Sequence, residues 1–326
     1  MKTIWHVRYE LRPVAALNAR ASAAPREGAL LRIGDGFADL HPWPELGDLP
    51  LDEQLQLLSN GTTTASTRAS IEMIRLDETA RLAGKTLFEG LTIPRSHFLS
   101  VDLNAHLDLK QLAEAGFERI KVKAGRDLSV ESIRITELLT DMQSLGASLG
   151  LRIDLNASVT QDDLEHFLSS IPERVRHHID FLEDPLPYDP KTWLRLREAH
   201  GVRLAADREK PRDTGMTIGI DTIVLKPARE EVPPLTKIAQ ARALRAVVTS
   251  NMDHPVGQMG AAFRAACIDR DFPSLLDDCG LLSNGVYEPD AFSERLGVKG
   301  AQLMPPSGLG IGFDDLLFAL DWKELP

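Results

Sequence analysis

The chain has 326 residues, 43% of them hydrophobic, enough to bury one large core or two ordinary ones. A formal net charge of -11 argues against broad affinity for nucleic acid or an anionic membrane surface, though a local pocket can still take an anionic substrate. Two cysteines, Cys267 and Cys279, form no CxxC pair and no zinc pattern, no apolar run approaches a membrane span, and the opening MKTIWHVRYELRP lacks the order of a signal peptide, so a cytoplasmic protein with reduced thiols is expected.

Residues 2–10 and 28–38 read as strands around a polar stretch from Asn18 to Gly28. The segment His41–Pro50, rich in proline, glycine and tryptophan, reads as a structured loop. From Leu51 to about Leu87 apolar residues recur at helical spacing, as at Leu55, Leu58, Ile71, Ile74 and Leu76. Strands followed by helices make this an α+β unit. From about Arg95 the pattern changes. Short apolar runs at 97–103, 119–124, 151–157, 178–185, 202–207, 222–228, 246–250 and, less clearly, 275–283 alternate with helical stretches near 107–116, 129–148, 160–171, 190–200, 231–244 and 257–269. Such alternation predicts a parallel sheet, and repetition close to eight times favours a closed barrel. Residues 207–222 leave little room for a full helix and predict a distorted or shortened element. The final segment, 306–326, holds a turn-rich GLGIGFD and an apolar LLFALDW, and is expected to fold back on the N-terminal unit.

The charges are placed where a barrel carries chemistry, at the C-terminal ends of its strands. Lys121 and Lys123 end the second barrel run, Asp154 and Asn156 the third, Glu183 and Asp184 the fourth, Asp207 the fifth and Lys226 the sixth, while Ser250, Asn251 and Asp253 follow the seventh. Strand side chains alternate, so Lys121 and Lys123 share one face, as do Asp154 and Asn156, leaving Val122 and Leu155 for the helices. A lone strand-end charge is usually a solvated surface group. Three carboxylates on successive strand ends, flanked by lysines, repel unless paired or metal-bound. An all-oxygen set with no histidine favours Mg²⁺ over zinc, with Mn²⁺ as a substitute. A nearby divalent cation and a second ammonium would lower the pKa of Lys123 and suit it to remove a proton next to a carboxylate.

In this order, KVK at 121–123, DLN at 154–156, EDP at 183–185, Asp207 of AAD and LKP at 225–227 resemble the enolase superfamily, in the branch of muconate cycloisomerases, dipeptide epimerases and o-succinylbenzoate synthases. The resemblance covers essentially the whole chain. It implies an α/β fold: a modified TIM barrel, (β/α)7β, over 96–305, under an α+β capping domain of residues 1–95 completed by 306–326. It implies Mg²⁺ held by Asp154, Glu183 and Asp207, with Lys123 and Lys226 on opposite faces of a small carboxylate substrate, Lys121 supporting Lys123 and Asn156 near the metal or substrate. Two departures stand out. The third ligand usually sits in DE or DES, whereas Asp207-Arg208-Glu209 makes Glu209 a rival. The strand-seven region, TSNMDHPVG at 249–257, fits loosely; Ser250, Asn251 and Asp253 are substrate-side candidates there, as are Arg20, Arg26 and Trp43 in the capping loops.

The compact chain is most similar to the o-succinylbenzoate synthases of menaquinone synthesis. That implies a lyase dehydrating 2-succinyl-6-hydroxy-2,4-cyclohexadiene-1-carboxylate, with Lys123 taking the α-proton and returning it to the departing hydroxyl while Lys226 lies against the ring as a cation–π partner. A dipeptide epimerase or N-succinyl amino acid racemase of the same superfamily is the nearest alternative. A Schiff-base aldolase through Lys226, or a non-catalytic barrel binding protein, are alternatives of other classes. The sequence leaves the oligomeric state open, a monomer included.

Overall fold

The computed structural model describes residues 3–17, 23–146 and 148–326. The chain opens as an antiparallel sheet: β1 (Ile4–Leu11), β2 (Arg26–Ile33) and β3 (Gly36–Leu40), paired from Ile4↔Ile33 to Leu11↔Arg26 and from Ala29↔Leu40 to Ile33↔Gly36. Two helices follow, α1 (Leu51–Ser59) and α2 (Ala65–Leu82), where the helical period runs without an obvious stop. The break has a chemical cause. The Thr64 hydroxyl accepts the Thr67 amide at 3.1 Å, while the Thr67 hydroxyl accepts the Thr64 amide at 2.8 Å, a reciprocal cap that starts a new helix.

The second layer is a seven-stranded, all-parallel sheet. Its strands are β4 (Phe98–Ser100), β5 (Arg119–Lys123), β6 (Gly150–Asp154), β7 (Ile179–Glu183), β8 (Leu204–Ala206), β9 (Thr222–Leu225) and β10 (Arg245–Val248), side by side in chain order. Helices α3 (Leu109–Glu114), α4 (Leu128–Leu145), α5 (Gln161–Ser170), α6 (Glu173–Arg176), α7 (Pro190–His200), α8 (Val232–Ala241) and α9 (Pro255–Asp271) connect them. Between β8 and β9 stands only a 3₁₀ turn, Thr214–Thr217, the shortened element expected there. The run at 275–283 closes the curl by parallel bridges: Ala246↔Leu276 and Thr249↔Gly280 on one side, Ser96↔Cys279 on the other. The fold is a modified TIM barrel under an N-terminal antiparallel cap.

The barrel interior is layered. Phe181, Ala205, Val224 and Val247, from four successive strands, form one apolar layer. At one end Arg152 is fully buried, 4.7 Å over the Phe181 ring and 2.7 Å from Asp180. Because Arg152 points inward, its neighbour two residues on, Asp154, also points inward, at the mouth.

A hairpin of β11 (Gly297–Lys299) and β12 (Gln302–Met304), a short α10 (Asp314–Leu317) and β13 (Lys323–Glu324) complete the chain. The final segment does fold back: β13 pairs antiparallel with β1, and Thr86 bridges Gly310. Buried Asp77 of α2 fastens this seam, accepting amides from Phe37 at 2.8 Å and Ile311 at 2.5 Å and the Arg81 guanidinium at 2.7 Å.

Candidate active site

Strand register assembles the charged residues. Lys123 pairs with Asp154 across β5–β6, and Asp154 with Glu183 across β6–β7; Asp207 and Lys226 each follow the last residue of their strands. Lys121 donates to both Glu183 carboxylate oxygens at 2.6 Å and lies 3.0 Å from Asp154. Lys123 reaches Asp154 Oδ2 at 2.5 Å, and Lys226 pairs with Asp207 Oδ2. Asn156 donates to Asp154 Oδ1 at 2.8 Å. These groups are at least four-fifths buried.

Burial alone opposes every charge here, and mutual pairing decides which survive. Burial pulls the Lys121 ammonium down, yet Asp154, Glu183 and Asp207 together hold it above its usual value. Burial likewise raises Asp154, but Lys121 and Lys123 outweigh it and leave it well below the usual carboxylate range. Asp207 is lowered to about 2 by Lys226, Lys210 and Lys121 against burial. Glu183 is the exception: burial and the Asp154 charge push it up to about 7 despite Lys121.

The backbone is strained at the same strand ends. Asn156 and Ala157 after β6, Asp184 after β7 and Met252 after β10 all have positive φ, between 43° and 51°. Non-glycine residues there cost of order 1–3 kcal/mol each and persist where surrounding contacts impose them. Asp184 is one such contact. Its carboxylate accepts the amides of Asp207 at 2.9 Å and Arg208 at 3.1 Å, and its carbonyl accepts Ala157 N–H at 2.7 Å. Asp184 therefore shapes the end of β8 from the end of β7.

Asp207 and its rival Glu209 are separated by this turn: Asp207 is buried in the row, whereas Glu209 is exposed and lines an outer groove with Tyr188 and Trp193. Among the described residues no three carboxylate, histidine or cysteine side chains already close on one point as a metal cage, because lysine ammoniums stand between the carboxylates. Asp207 Oδ1, buried with no hydrogen-bond partner, is an available hard donor.

The remaining candidates sit under the cap. The Ser250 hydroxyl is 2.6 Å from that of Ser283. Asn251 donates to the His41 carbonyl at 3.0 Å and accepts the Trp43 indole N–H on its own carbonyl at 2.8 Å. Trp43 has no exposed surface, and the Arg26 guanidinium lies 4.1 Å above its ring while pairing with Glu45. Asp253 is buried opposite Asp39. Arg20 lies outside the described residues. A cavity of about 130 Å³ opens beside Lys123, lined also by Asp102, Asn104 and Arg126.

Sequence reading overlooked Lys210 and Glu230. Lys210 donates to both Glu230 oxygens at 2.6 Å and lies 3.8 Å from Asp207 Oδ1. Both residues belong to irregular segments, where strand alternation offers no signal; only the isolated lysine in DREK hinted at a partner.

A family model described as "O-succinylbenzoate synthase, N-terminal domain" matches residues 4–80. The o-succinylbenzoate synthase of Bdellovibrio bacteriovorus is 37% identical over 328 residues, covering 97% of each chain. The chain belongs to the o-succinylbenzoate synthase family. The chain is accordingly a lyase of the enolase superfamily. A second member, from Aliivibrio fischeri, is 26% identical over 70% of this chain and 75% of its own length. Among solved structures, the L-Ala-D/L-Glu epimerase from Bacillus subtilis superposes with a TM-score of 0.76 at 17% identity, covering 96% of this chain and 98% of that one. Likeness at that identity speaks for the shared fold alone.

Proposed function

We propose that the protein dehydrates 2-succinyl-6-hydroxy-2,4-cyclohexadiene-1-carboxylate to o-succinylbenzoate in a Mg²⁺-dependent reaction serving menaquinone synthesis. The observation that carries this reading is the row of buried Lys–carboxylate pairs across the ends of β5 to β9, in a chain matched over 97% of its length by an o-succinylbenzoate synthase. Held by Asp154, Glu183 and Asp207, a bound Mg²⁺ would supply Lewis-acid stabilisation of the negative charge that develops on the substrate carboxylate.

The chain's own residues do the rest. Lys123 Nζ donates to Asp154 here; to act as the base it first gives its extra proton to solvent, and the resulting amine accepts the α-proton. The C–H electron pair moves into the ring, the C–O bond to the hydroxyl breaks, and Lys123 returns the proton so that water leaves from the same face. Lys121 keeps its charge through Asp154 and Glu183 and stands beside Lys123 as a fixed cation. Lys226, kept charged by Asp207, faces the developing aromatic ring as a cation. A lysine held as an ammonium is a poor Schiff-base nucleophile, which argues against the aldolase reading.

The test is loss of diene absorbance with this substrate, with and without EDTA. Rapid turnover that EDTA abolishes and Mg²⁺ restores is expected; metal-independent turnover, or none, overturns the reading. Two lysines paired to carboxylates at separate strand ends also suit two-base epimerisation. Deuterium uptake with inversion of a dipeptide or N-succinyl amino acid in heavy water would select that alternative.

A further inference from the structure

Lys210 and Glu230 take no part in the chemistry just described, yet they bind its machinery at two points. Glu230 lies four residues beyond Lys226 and its Oε1 accepts the Lys226 backbone N–H at 2.6 Å. The same carboxylate receives both bonds from Lys210 at 2.6 Å. Lys210 in turn lies 3.8 Å from Asp207 Oδ1, the oxygen without a hydrogen bond, while Lys226 Nζ holds Oδ2. The four residues form a closed ring joining the end of β8 to the end of β9. No α-helix spans that connection, only the 3₁₀ turn Thr214–Thr217, and the β8–β9 ladder pairs Ala206 with Ile223 but reaches neither Asp207 nor Lys226.

We propose that Lys210 and Glu230 are positioning residues that fix Lys226 against Asp207. This rests on the reading of Lys226 as an active-site residue. The Lys210 side chain is 10% exposed and that of Glu230 21%. A Lys–Glu pair withdrawn from water contributes little net stability, since desolvation offsets most of its attraction. Its consequence is geometric. The charge-assisted bond to the Lys226 amide sets where that residue leaves β9, and Lys210 turns Glu230 to make it. Asp207 is thereby shared by two lysines, one bonded and one acting through charge alone.

Three variants test this: Lys210→Met, Glu230→Gln and the double change. The first readout needs no turnover. Lys226 is labelled with trinitrobenzenesulfonate without substrate, mapped by mass spectrometry and referenced to exposed Lys237 in the same sample. Each variant should label Lys226 roughly tenfold faster, as loss of a charge-assisted bond implies. The second readout is kinetic: kcat should fall roughly 10- to 100-fold with KM within about threefold, as for a misplaced rather than a missing group. The melting temperature of the double variant should stay near that of the parent, since no unpaired charge is left buried. If Lys210→Met does not fold because Glu230 is stranded, the double variant carries the test. Labelling and kcat both within about twofold of the parent in the double variant overturn the proposal. Should the parent show no dehydration, the functional reading fails alone, and the labelling still decides the positioning role.

Discussion

Lys123 and Lys226 hold different carboxylates on different strands, so removing each should have a separable effect. Lys123→Ala is expected to abolish α-proton exchange in heavy water and to lower turnover by ~10²–10⁴-fold or more, the range for a lost general base. Lys226→Ala should keep part of the exchange while losing turnover, because the cation against the ring is gone but the base remains. Substantial turnover by Lys123→Ala overturns the assignment. At this scale much was legible. Period-two alternation put Lys121 with Lys123 and Asp154 with Asn156, and the structure places each pair at the barrel mouth. Asp184 was less legible, because its neighbour Glu183 takes the inward position and Asp184 acts through backbone amides. Lys210 and Glu230 act through a turn and have no periodicity to betray them. Trp43 and Arg26, read as substrate-side candidates in the capping loops, are packed on one another, with the indole fastening the loop after β10.

At the scale of elements, α9 is the joint between cap and barrel. It is buried on nearly every side, so the stretch 257–269, read as one of the helices alternating with the strands, has no polar face of its own. Its glycines separate two kinds of contact. A Cβ on Gly257 would lie 2.5 Å from Asp39 Oδ2 and 2.7 Å from Asp253 Oδ2, closer than atoms allow. A Cβ on Gly260 would meet Met73 at 3.5 Å, an ordinary contact. Gly257→Ala should therefore destabilise by ~1–3 kcal/mol despite better helix propensity. Gly260→Ala should be neutral or stabilise by up to ~1 kcal/mol. Chemical denaturation of both measures the difference; equal effects would remove the close approach at Gly257. The closing run at 275–283 was hard to read for a related reason. It pairs through isolated bridges, and its Asp277 and Asp278 are drawn to Arg152, Arg245 and Arg95 at the barrel's closed end.

Across the whole molecule, cap and barrel meet at a buried acid pair. Asp39 of β3 accepts the Tyr9 hydroxyl at 2.6 Å, and Asp253, after β10, faces it across Gly257 with neither oxygen hydrogen-bonded. His41, His254 and Tyr287 surround them. Burial and the Asp253 charge raise Asp39 well above the usual carboxylate range, and burial pushes Asp253 up to about 7. An unfolded carboxyl titrates near 4, so the folded state binds the extra proton between those values. The pair's stabilisation is thus complete below about pH 4 and is lost as pH rises through about 7, at up to ~1.4 kcal/mol per pH unit for each proton released. Melting temperature should fall from pH 5 to pH 8 in the parent, and Asp253→Asn should flatten that slope. An unchanged slope in the variant means the pair does not hold the proton.

The pairing of β13 with β1, and of Asp77 with Ile311 across 234 residues, also orders events during synthesis. Each barrel strand after β4 finds a neighbour already made as it leaves the ribosome, because the parallel sheet runs in chain order. The cap cannot do so. Its β1 is translated long before β13, so one β1 edge stays unpaired, and Asp77 Oδ1 lacks the Ile311 amide, until those later residues arrive. An open strand edge invites mispairing with other nascent chains, so the interval between translation of β1 and of β13 is a window of exposure to aggregation.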